Sequence, residues 1–215
     1  MGQVKNSPAL PAQDYHYIDK REELEAFVRQ AHKADIIALD IEGDSMFHYQ
    51  ERVCLIQMAA NGQTVVIDPL TVKDLSPIKP ILANADVPKV IHGADYDIRS
   101  IYRDFGITIT NLFDTQLASM YMGWTETSLE AVVARHFGVE LNKKYQKKNW
   151  SRRPLPEDMV AYAASDVAYL IPLALHLTRE LKRLGRLQWV TEECRLLCGV
   201  RPPKNNDGPM FLKFK

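Results

Sequence analysis

The sequence predicts an α/β protein with one mixed β-sheet flanked by helices. In its first part, apolar strand-like segments follow one another closely, and two of them are joined by Asn61-Gly62, a strong signal for a β-hairpin. In its second part, strand-like and helix-like segments alternate before the chain becomes mostly helical. Antiparallel pairing followed by strand–helix alternation is typical of a mixed sheet with helices packed on it.

The first elements are predicted as a short strand, a helix and three further strands. "YHYI" at 15–18 has a strand pattern, and Asp19 with Glu22 forms an N-cap signature for a helix that ends near Lys33. The three strands that follow are expected at 35–42, 52–60 and 64–70.

The later elements are predicted as one more strand and several helices. In chain order we expect a helix at about 74–83, a strand at 88–93, and helices at 94–106, 114–123 and 127–138. Asp114 is interpreted as a helix cap, and Thr127 with Glu130 as a capping box. A long helix should follow at about 156–184, and Pro172 should kink it because proline has no N–H to bond the Ala168 carbonyl.

Composition indicates an ordinary globular chain of one large domain. Of the 215 residues, 46% are apolar and 25% are charged, which is enough for a substantial core. Lys and Arg total 27, as do Asp and Glu, so any site for a polyanion must be local. We expect a flexible N-terminal segment at 1–14, the domain at 15–200 and a C-terminal linker at 201–215.

Cysteine usage and hydropathy indicate a cytoplasmic protein without a membrane segment. Cys54, Cys194 and Cys198 form no C-x-x-C pair and have no histidines at zinc-ligand spacing, which fits a reducing compartment. Cys194 and Cys198 are expected to pack on an amphipathic helix. No segment approaches the roughly 18 apolar residues of a membrane span, and the N-terminus has no apolar signal core.

Acidic residues stand at positions where lone charges are costly. Asp40 and Glu42 end an apolar strand and point to one face of it, although an acid-x-acid triplet is expected by chance roughly three times in such a chain. Tyr162 and Asp166 are four apart on the long helix and share a face flanked by small and apolar residues. Asp97 lies on the apolar stripe of its helix.

These four acids make physical sense if they converge on cations. Oxygen ligands without histidine or thiolate favour Mg²⁺ or Mn²⁺ over zinc. Two such ions roughly 4 Å apart can hold the attacking and leaving oxygens of a phosphodiester in line.

The ordered motifs resemble the ribonuclease D group of 3′–5′ exonucleases. The segments that carry the resemblance are "LDIEGDSMFHYQERVCLIQ", "HGADYD", "LFDTQLAS" and "NWSRRPLPEDMVAYAASDVAYL", and it covers roughly residues 15–200. The sister subclass has a histidine five residues before the last Asp, where this chain has Ala161, so the resemblance is to the subclass with a tyrosine, Tyr162.

The resemblance implies a ribonuclease H-like fold with a mixed five- to six-stranded sheet flanked by helices. It implies an enzyme that uses two divalent metal ions, Mg²⁺ or Mn²⁺, and no organic cofactor. The enzyme would release nucleoside 5′-monophosphates from single-stranded 3′ ends of RNA, as in the processing of tRNA and other structured RNA. Longer members of the group continue into helical RNA-binding domains, so the linker could lead to a domain absent from this chain.

Each member of the cluster has an expected role. Asp40 should bridge the two metals, with Glu42 and Asp166 completing the site that holds the attacking water and Asp97 acting on the second metal. Because the ordinary tyrosine pKa is about 10, Tyr162 is a poor base and is assigned to orienting the water by a hydrogen bond.

A basic segment before the Tyr162 helix is expected to bind nucleic acid. Its charged residues are Lys143, Lys144, Lys147, Lys148, Arg152 and Arg153. Tyr145 and Trp150 could stack on bases, and Gln146 and His92 complete the expected contact set. Such a charge run also occurs as a solvated loop, and a histidine at the position of His92 is more often a hydrogen-bonded structural residue than a ligand.

Three rival functions stay open at this point. The same chemistry could act on DNA, since no residue pattern specifies recognition of the ribose 2′-hydroxyl. The fold could serve as a non-catalytic nucleic-acid-binding module, or the acids could form a structural metal site. The sequence leaves the oligomeric state open.

Overall fold

The computed structural model describes residues 14–202. Residues 1–13 and 203–215 lie outside the described residues, and with them most of the predicted N-terminal segment and C-terminal linker. The described chain folds as one mixed sheet with helices on both faces, as predicted.

Six strands form the sheet in the order β1-β4-β3-β2-β5-β6. Their bounds are β1 Tyr15–Ile18, β2 Ile37–Gly43, β3 Val53–Ala60, β4 Gln63–Ile67, β5 Lys89–Ile91 and β6 Leu112–Asp114. Strands β2, β3 and β4 pair antiparallel, whereas β1–β4, β2–β5 and β5–β6 pair parallel. Asn61 and Gly62, both at positive φ, form the predicted hairpin between β3 and β4. Strand β6 was not predicted.

The helices are mostly short, and several lie where the sequence predicts them. Their bounds are α1 Arg21–Ala31, α2 Pro69–Val72, α3 Lys79–Leu82, α4 Asp95–Phe105, α5 Thr115–Tyr121, α6 Leu129–Phe137, α7 Glu157–Ala168, α8 Leu170–Arg183 and α9 Leu187–Cys198, with a 3₁₀ turn at Ser76–Ile78. Asp114 caps α5 as predicted, because its carboxylate accepts the N–H groups of Gln116 and Leu117.

Three predicted details of the helices are wrong. The single helix at 74–83 is divided into the 3₁₀ turn and α3, because Pro77 and Pro80 each occupy the first turn of a short helix and cannot continue a preceding one. The residue that precedes α1 is Lys20 rather than Asp19. The cap of α6 is Ser128, whose hydroxyl accepts the Ala131 N–H at 3.3 Å, rather than the preceding threonine.

The predicted interruption of the long helix is confirmed. Helices α7 and α8 meet at Tyr169, three residues before Pro172. Because Pro172 has no backbone N–H, the Ala168 carbonyl lacks the hydrogen bond that it would accept in a continuous helix. By length and composition alone, Glu157–Arg183 could cross a membrane, which differs from the sequence expectation. However, half of the most apolar 18-residue part of this stretch is buried inside the fold. We therefore interpret this stretch as core helix.

The alternation of β2 directs its side chains into two different layers. Ile37, Leu39 and Ile41 pack in the larger core together with residues of α1, α4 and α9. The even-numbered residues face α7, where Ala38 packs against Val167. The carboxyl end of β2 therefore presents its acidic side chains beneath α7.

Candidate active site

Three carboxylates meet between the end of β2 and helix α7. Asp40, Glu42 and Asp166 each offer an oxygen, and these oxygens lie within 4.8 Å of one another. The two-residue spacing on β2 places the first two on one face, and α7 carries the third over them. Among residues 14–202, this is the one group of three or more acidic, histidine or cysteine side chains with metal-ligand spacing. Its oxygen-only ligands fit Mg²⁺ or Mn²⁺.

Helix α7 approaches the sheet closely because its inner face is small. Ala163 and Ala164 are buried against β3 and β4. Tyr162, one turn before Asp166, lines the same cleft as the three acids. The sequence prediction that this tyrosine and aspartate share a face toward the acids is consistent with this arrangement.

The acids of the cluster hold their protons more tightly than ordinary carboxyls. Burial raises the pKa of Asp40 to about 7, against a smaller effect of the Ile41 backbone N–H. Burial also raises the pKa values of Glu42, Asp97 and Asp166 well above their usual range, and the nearby carboxylates raise them further. A cation bound among them would relieve both effects.

Asp97 lies beside this group rather than within it. It is 5% exposed on the first turn of α4, and its charge interacts with that of Asp40. Asp114 fixes the start of α4, since its carboxylate accepts the N–H groups of Gly93 and Ala94 at 2.9 and 2.8 Å in addition to capping α5. The acceptor capacity of Asp114 is thus used by the backbone, in agreement with its predicted role as a cap.

The carboxylates open into a cleft of about 300 Å³ that is also lined by α6. Glu130 of α6 is a further acid that lines this cleft, whereas its sequence pattern indicates only a capping residue. Burial raises its pKa, but hydrogen bonds from its own backbone N–H and from Ser128, together with the Lys143 ammonium, outweigh burial and hold that pKa below its usual value. Gln146, an expected nucleic-acid contact, is exposed and lines the cleft.

His92 also lines the cleft, at the end of β5. Its Nδ1 lies 2.9 Å from the Thr115 hydroxyl, and burial lowers its pKa, which favours the neutral ring. His92 is therefore tied to the scaffold as well as positioned near the carboxylates.

Two aromatic residues of the basic segment are buried, contrary to the expectation that they stack on bases. Trp150 is 1% exposed and Tyr145 is 9% exposed. Their rings pack on that of Tyr162, with centroids at 6.2 and 5.7 Å. The Tyr145 hydroxyl donates to the carboxylate of Asp158. Base stacking is not compatible with this burial, and these two rings instead form the wall that holds Tyr162.

Arg153 likewise differs from its expected role as a nucleic-acid contact. Its Nε and Nη2 donate to the two carboxylate oxygens of Asp68 at 2.6 and 2.7 Å. Its other N–H groups donate to the backbone carbonyls of Trp150, Arg152 and Cys54 at 2.8, 2.7 and 2.9 Å. All five guanidinium N–H groups are used within the protein, so none is free for a phosphate.

The other basic side chains of the segment are exposed. Lys143 pairs with Glu130 at 3.5 Å, and Lys144 pairs with Asp158 at 3.6 Å. Lys147, Lys148 and Arg152 have no ion pair among residues 14–202. The cationic surface next to the cleft is therefore smaller than the count of charges in the sequence suggests.

Comparison with known proteins identifies relatives with this architecture. A family model of 3′–5′ exonucleases matches residues 15–182. Ribonuclease D of Bartonella henselae is 34% identical over 194 residues, which cover 89% of this chain and 47% of that protein. The chain thus spans about half the length of the ribonuclease D relatives that it matches.

Solved structures agree with the sequence comparison. The catalytic core of RRP6 from Trypanosoma brucei superimposes with a TM-score of 0.86 at 33% identity, covering 96% of this chain and 58% of that one. RNase D of Escherichia coli superimposes with a TM-score of 0.82 at 31% identity, and the match covers 86% of this chain and 50% of the Escherichia coli chain. That protein is described as an exoribonuclease involved in structured RNA processing. The predicted fold class is therefore confirmed.

Proposed function

The chain belongs to the family of 3′–5′ exonucleases, and from this premise we propose that it hydrolyses RNA one nucleotide at a time from the 3′ end. The products would be nucleoside 5′-monophosphates. The substrates would be single-stranded 3′ ends of tRNA or other structured RNA, by analogy with the ribonuclease D relatives. Free cysteines at all three positions fit a reducing compartment, so we place this activity in the cytoplasm.

The observation that carries the proposal is the meeting of Asp40, Glu42 and Asp166 within 4.8 Å. These three side chains would hold two divalent ions, Mg²⁺ or Mn²⁺, with Asp40 shared between them and Asp97 serving the second. When bound, such ions activate water near neutral pH and neutralise the charge that develops on the phosphate.

Tyr162 would orient the attacking water. Burial raises its pKa, and the negative charges of Asp166 and Glu42 raise it further, so its hydroxyl keeps its proton at neutral pH. A protonated hydroxyl can donate or accept one hydrogen bond but cannot serve as a base. The packing of Tyr145 and Trp150 against its ring supports this positioning role.

The single-stranded RNA would approach the candidate active site over an exposed surface beside the cleft. Lys147, Lys148 and Arg152, which have no ion pair within residues 14–202, offer cations for phosphates. Exposed rings for base stacking are supplied by the β2–β3 loop, where Tyr49 is 86% and Phe47 48% exposed. The ring of His48 in this loop approaches the Ser151 hydroxyl at 3.0 Å, which places the loop next to the basic segment.

The test is digestion of single-stranded oligonucleotides labelled at the 5′ end. With Mn²⁺ or Mg²⁺ and RNA, we expect a ladder of products shortened from the 3′ end, no ladder in EDTA and none with the Asp40→Asn variant. A ladder with DNA alone would favour a DNA exonuclease of the same chemistry. Binding of the oligonucleotide without cleavage would favour a non-catalytic module, and metal binding without either would favour a structural site.

A further inference from the structure

A buried glutamine lies beside the acidic cluster without a hydrogen-bond partner. Gln57 is fully buried in the middle of β3, and neither its Nε2 nor its Oε1 has a partner among residues 14–202. Buried amide groups in proteins are almost always hydrogen-bonded, so an unpartnered one calls for a physical explanation. Its neighbours on the same face of β3 are the apolar Leu55 and Ala59.

Strand register places this amide next to Asp40. In the antiparallel pair of β2 and β3, Asp40 and Gln57 are directly opposite each other. Such pairs point to the same face with Cβ atoms about 4.5–5.5 Å apart, within reach of an amide and a carboxylate after a side-chain rotation. The opposite neighbour of Gln57 on β4 is Val66, which offers no polar group.

The surroundings of Gln57 lie under the catalytic part of α7. Leu55 packs with Ala163 and Ala164, whereas Ala59 packs with Val167. Gln57 stands between these two contacts, beneath the turn of α7 that carries Tyr162 and Asp166. The amide is therefore enclosed by the same elements that form the acidic cluster.

We propose that Gln57 is a positioning residue of the metal site, whose Nε2 donates a hydrogen bond to the carboxylate of Asp40 when that carboxylate ligates metal. This inference rests on the proposed metal-dependent function. A ligating carboxylate that also accepts a hydrogen bond is held in one orientation, and the loss of such a supporting partner commonly lowers metal affinity or activity by about 10- to 100-fold. The amide adds no charge, so it can orient Asp40 without competing for the cation.

The test compares Mn²⁺ binding to the full 215-residue chain and to its Gln57→Met variant. Methionine keeps the approximate volume but removes the amide, so the melting temperature in EDTA should not fall. The dissociation constant for Mn²⁺, measured by calorimetry, should rise about tenfold or more. Met58→Leu is the matched control, because it changes the adjacent residue on the opposite face of β3 and should leave Mn²⁺ affinity within twofold.

Each outcome separates this inference from the function on which it rests. Equal Mn²⁺ affinity in the wild type and in Gln57→Met would overturn the role of Gln57 alone, whereas no Mn²⁺ binding by the wild type would overturn the metal-dependent function.

NMR of the wild type supplies a second measurement that needs no variant. The side-chain amide protons of Gln57 should shift and exchange more slowly on addition of Mg²⁺. Unmoved Gln57 resonances, while those of β2 shift, would also overturn the inference.

Discussion

The guanidinium of Arg153 and the carboxylate of Asp68 join two segments that lie 85 residues apart in the chain. The ion pair has two parallel hydrogen bonds, and Asp68 also accepts the hydroxyl of Tyr17 at 2.7 Å. It fastens the end of the basic segment to β1 and to the residue that follows β4. This contact fixes the main chain from which α7 begins, so it supports the candidate active site from outside it.

We expect Arg153→Lys to destabilise the protein without weakening electrostatic attraction to RNA. Lysine cannot reproduce the paired contacts, and loss of a largely buried ion pair should lower the free energy of unfolding by about 2–3 kcal/mol. Urea denaturation followed by circular dichroism measures this change. The control is Arg152→Lys at the exposed neighbouring position, which should stay within about 0.5 kcal/mol of wild type. An equal effect at both positions would contradict the structural role.

We expect the exposed cations of the basic segment to carry the salt dependence of RNA binding. Replacing Lys147, Lys148 and Arg152 by glutamine should weaken binding and reduce the slope of log Kd against log salt by up to about 2, since each phosphate contact to a single strand contributes about 0.7. The control variant replaces Arg29, Lys33 and Lys182 by glutamine. The first two lie near the beginning of β2, at the end of the strand that is opposite to the acidic cluster. Equal slopes in both variants would exclude the proposed surface.

Tyr162→Phe should separate catalysis from metal binding. Removing the hydroxyl should lower the rate of RNA trimming by about 10²-fold or more, because the water loses its orienting hydrogen bond. The affinity for Mn²⁺ should stay at the wild-type value, whereas Asp40→Asn should lose both metal binding and trimming. Calorimetric titration and a timed digestion measure the two quantities. Unchanged Mn²⁺ affinity in Asp40→Asn would contradict the bridging role of Asp40.

The raised pKa of Asp40 predicts a definite pH dependence of stability in EDTA. An acid whose pKa is raised by folding keeps its proton to higher pH than in the unfolded chain, so its ionisation destabilises the fold as pH rises from 3.8 to about 7. Asp40→Asn should therefore gain stability relative to wild type across this window, by more than about 1 kcal/mol at pH 8.

Denaturation of both proteins at pH 4.5 and pH 8, with and without Mn²⁺, measures this difference. At pH 8, Mn²⁺ should remove the difference in stability between the two proteins, because it neutralises the carboxylates of the wild type. Asp35→Asn changes an exposed acid just before β2 and should show no such trend. A stability difference that does not change with pH would show that Asp40 titrates as an ordinary acid.

Local patterns predict the acidic cluster well and the basic segment poorly. The two-residue period of a strand places Asp40 and Glu42 on one face, and the turn of a helix places Tyr162 and Asp166 together. Both relations are local, so the sequence contains them. The role of Arg153 depends on a partner 85 residues away, and a count of charges does not reveal which side chains are already paired.

The other differences between the sequence predictions and the structure have equally specific causes. Strand β6 has three residues and pairs on one side, which is too short for a periodic signal. The division of the predicted helix at 74–83 can be predicted from Pro77 and Pro80, because prolines are tolerated in the first turn of a helix but not inside it. Gln57 leaves no pattern at all, since a single amide in an apolar strand becomes informative only when its surroundings are known.

The break at Tyr169 has a geometric consequence for the whole domain. A straight helix over the 27 residues Glu157–Arg183 would be a rod of about 40 Å. β-Sheets are propeller-shaped, and a rod of that length would diverge from such a surface before reaching its far end. Dividing the rod lets α7 pack on β3 and β4 while α8 packs on α5 and β5. One continuous stretch of chain thereby packs on two separate regions of the same twisted sheet.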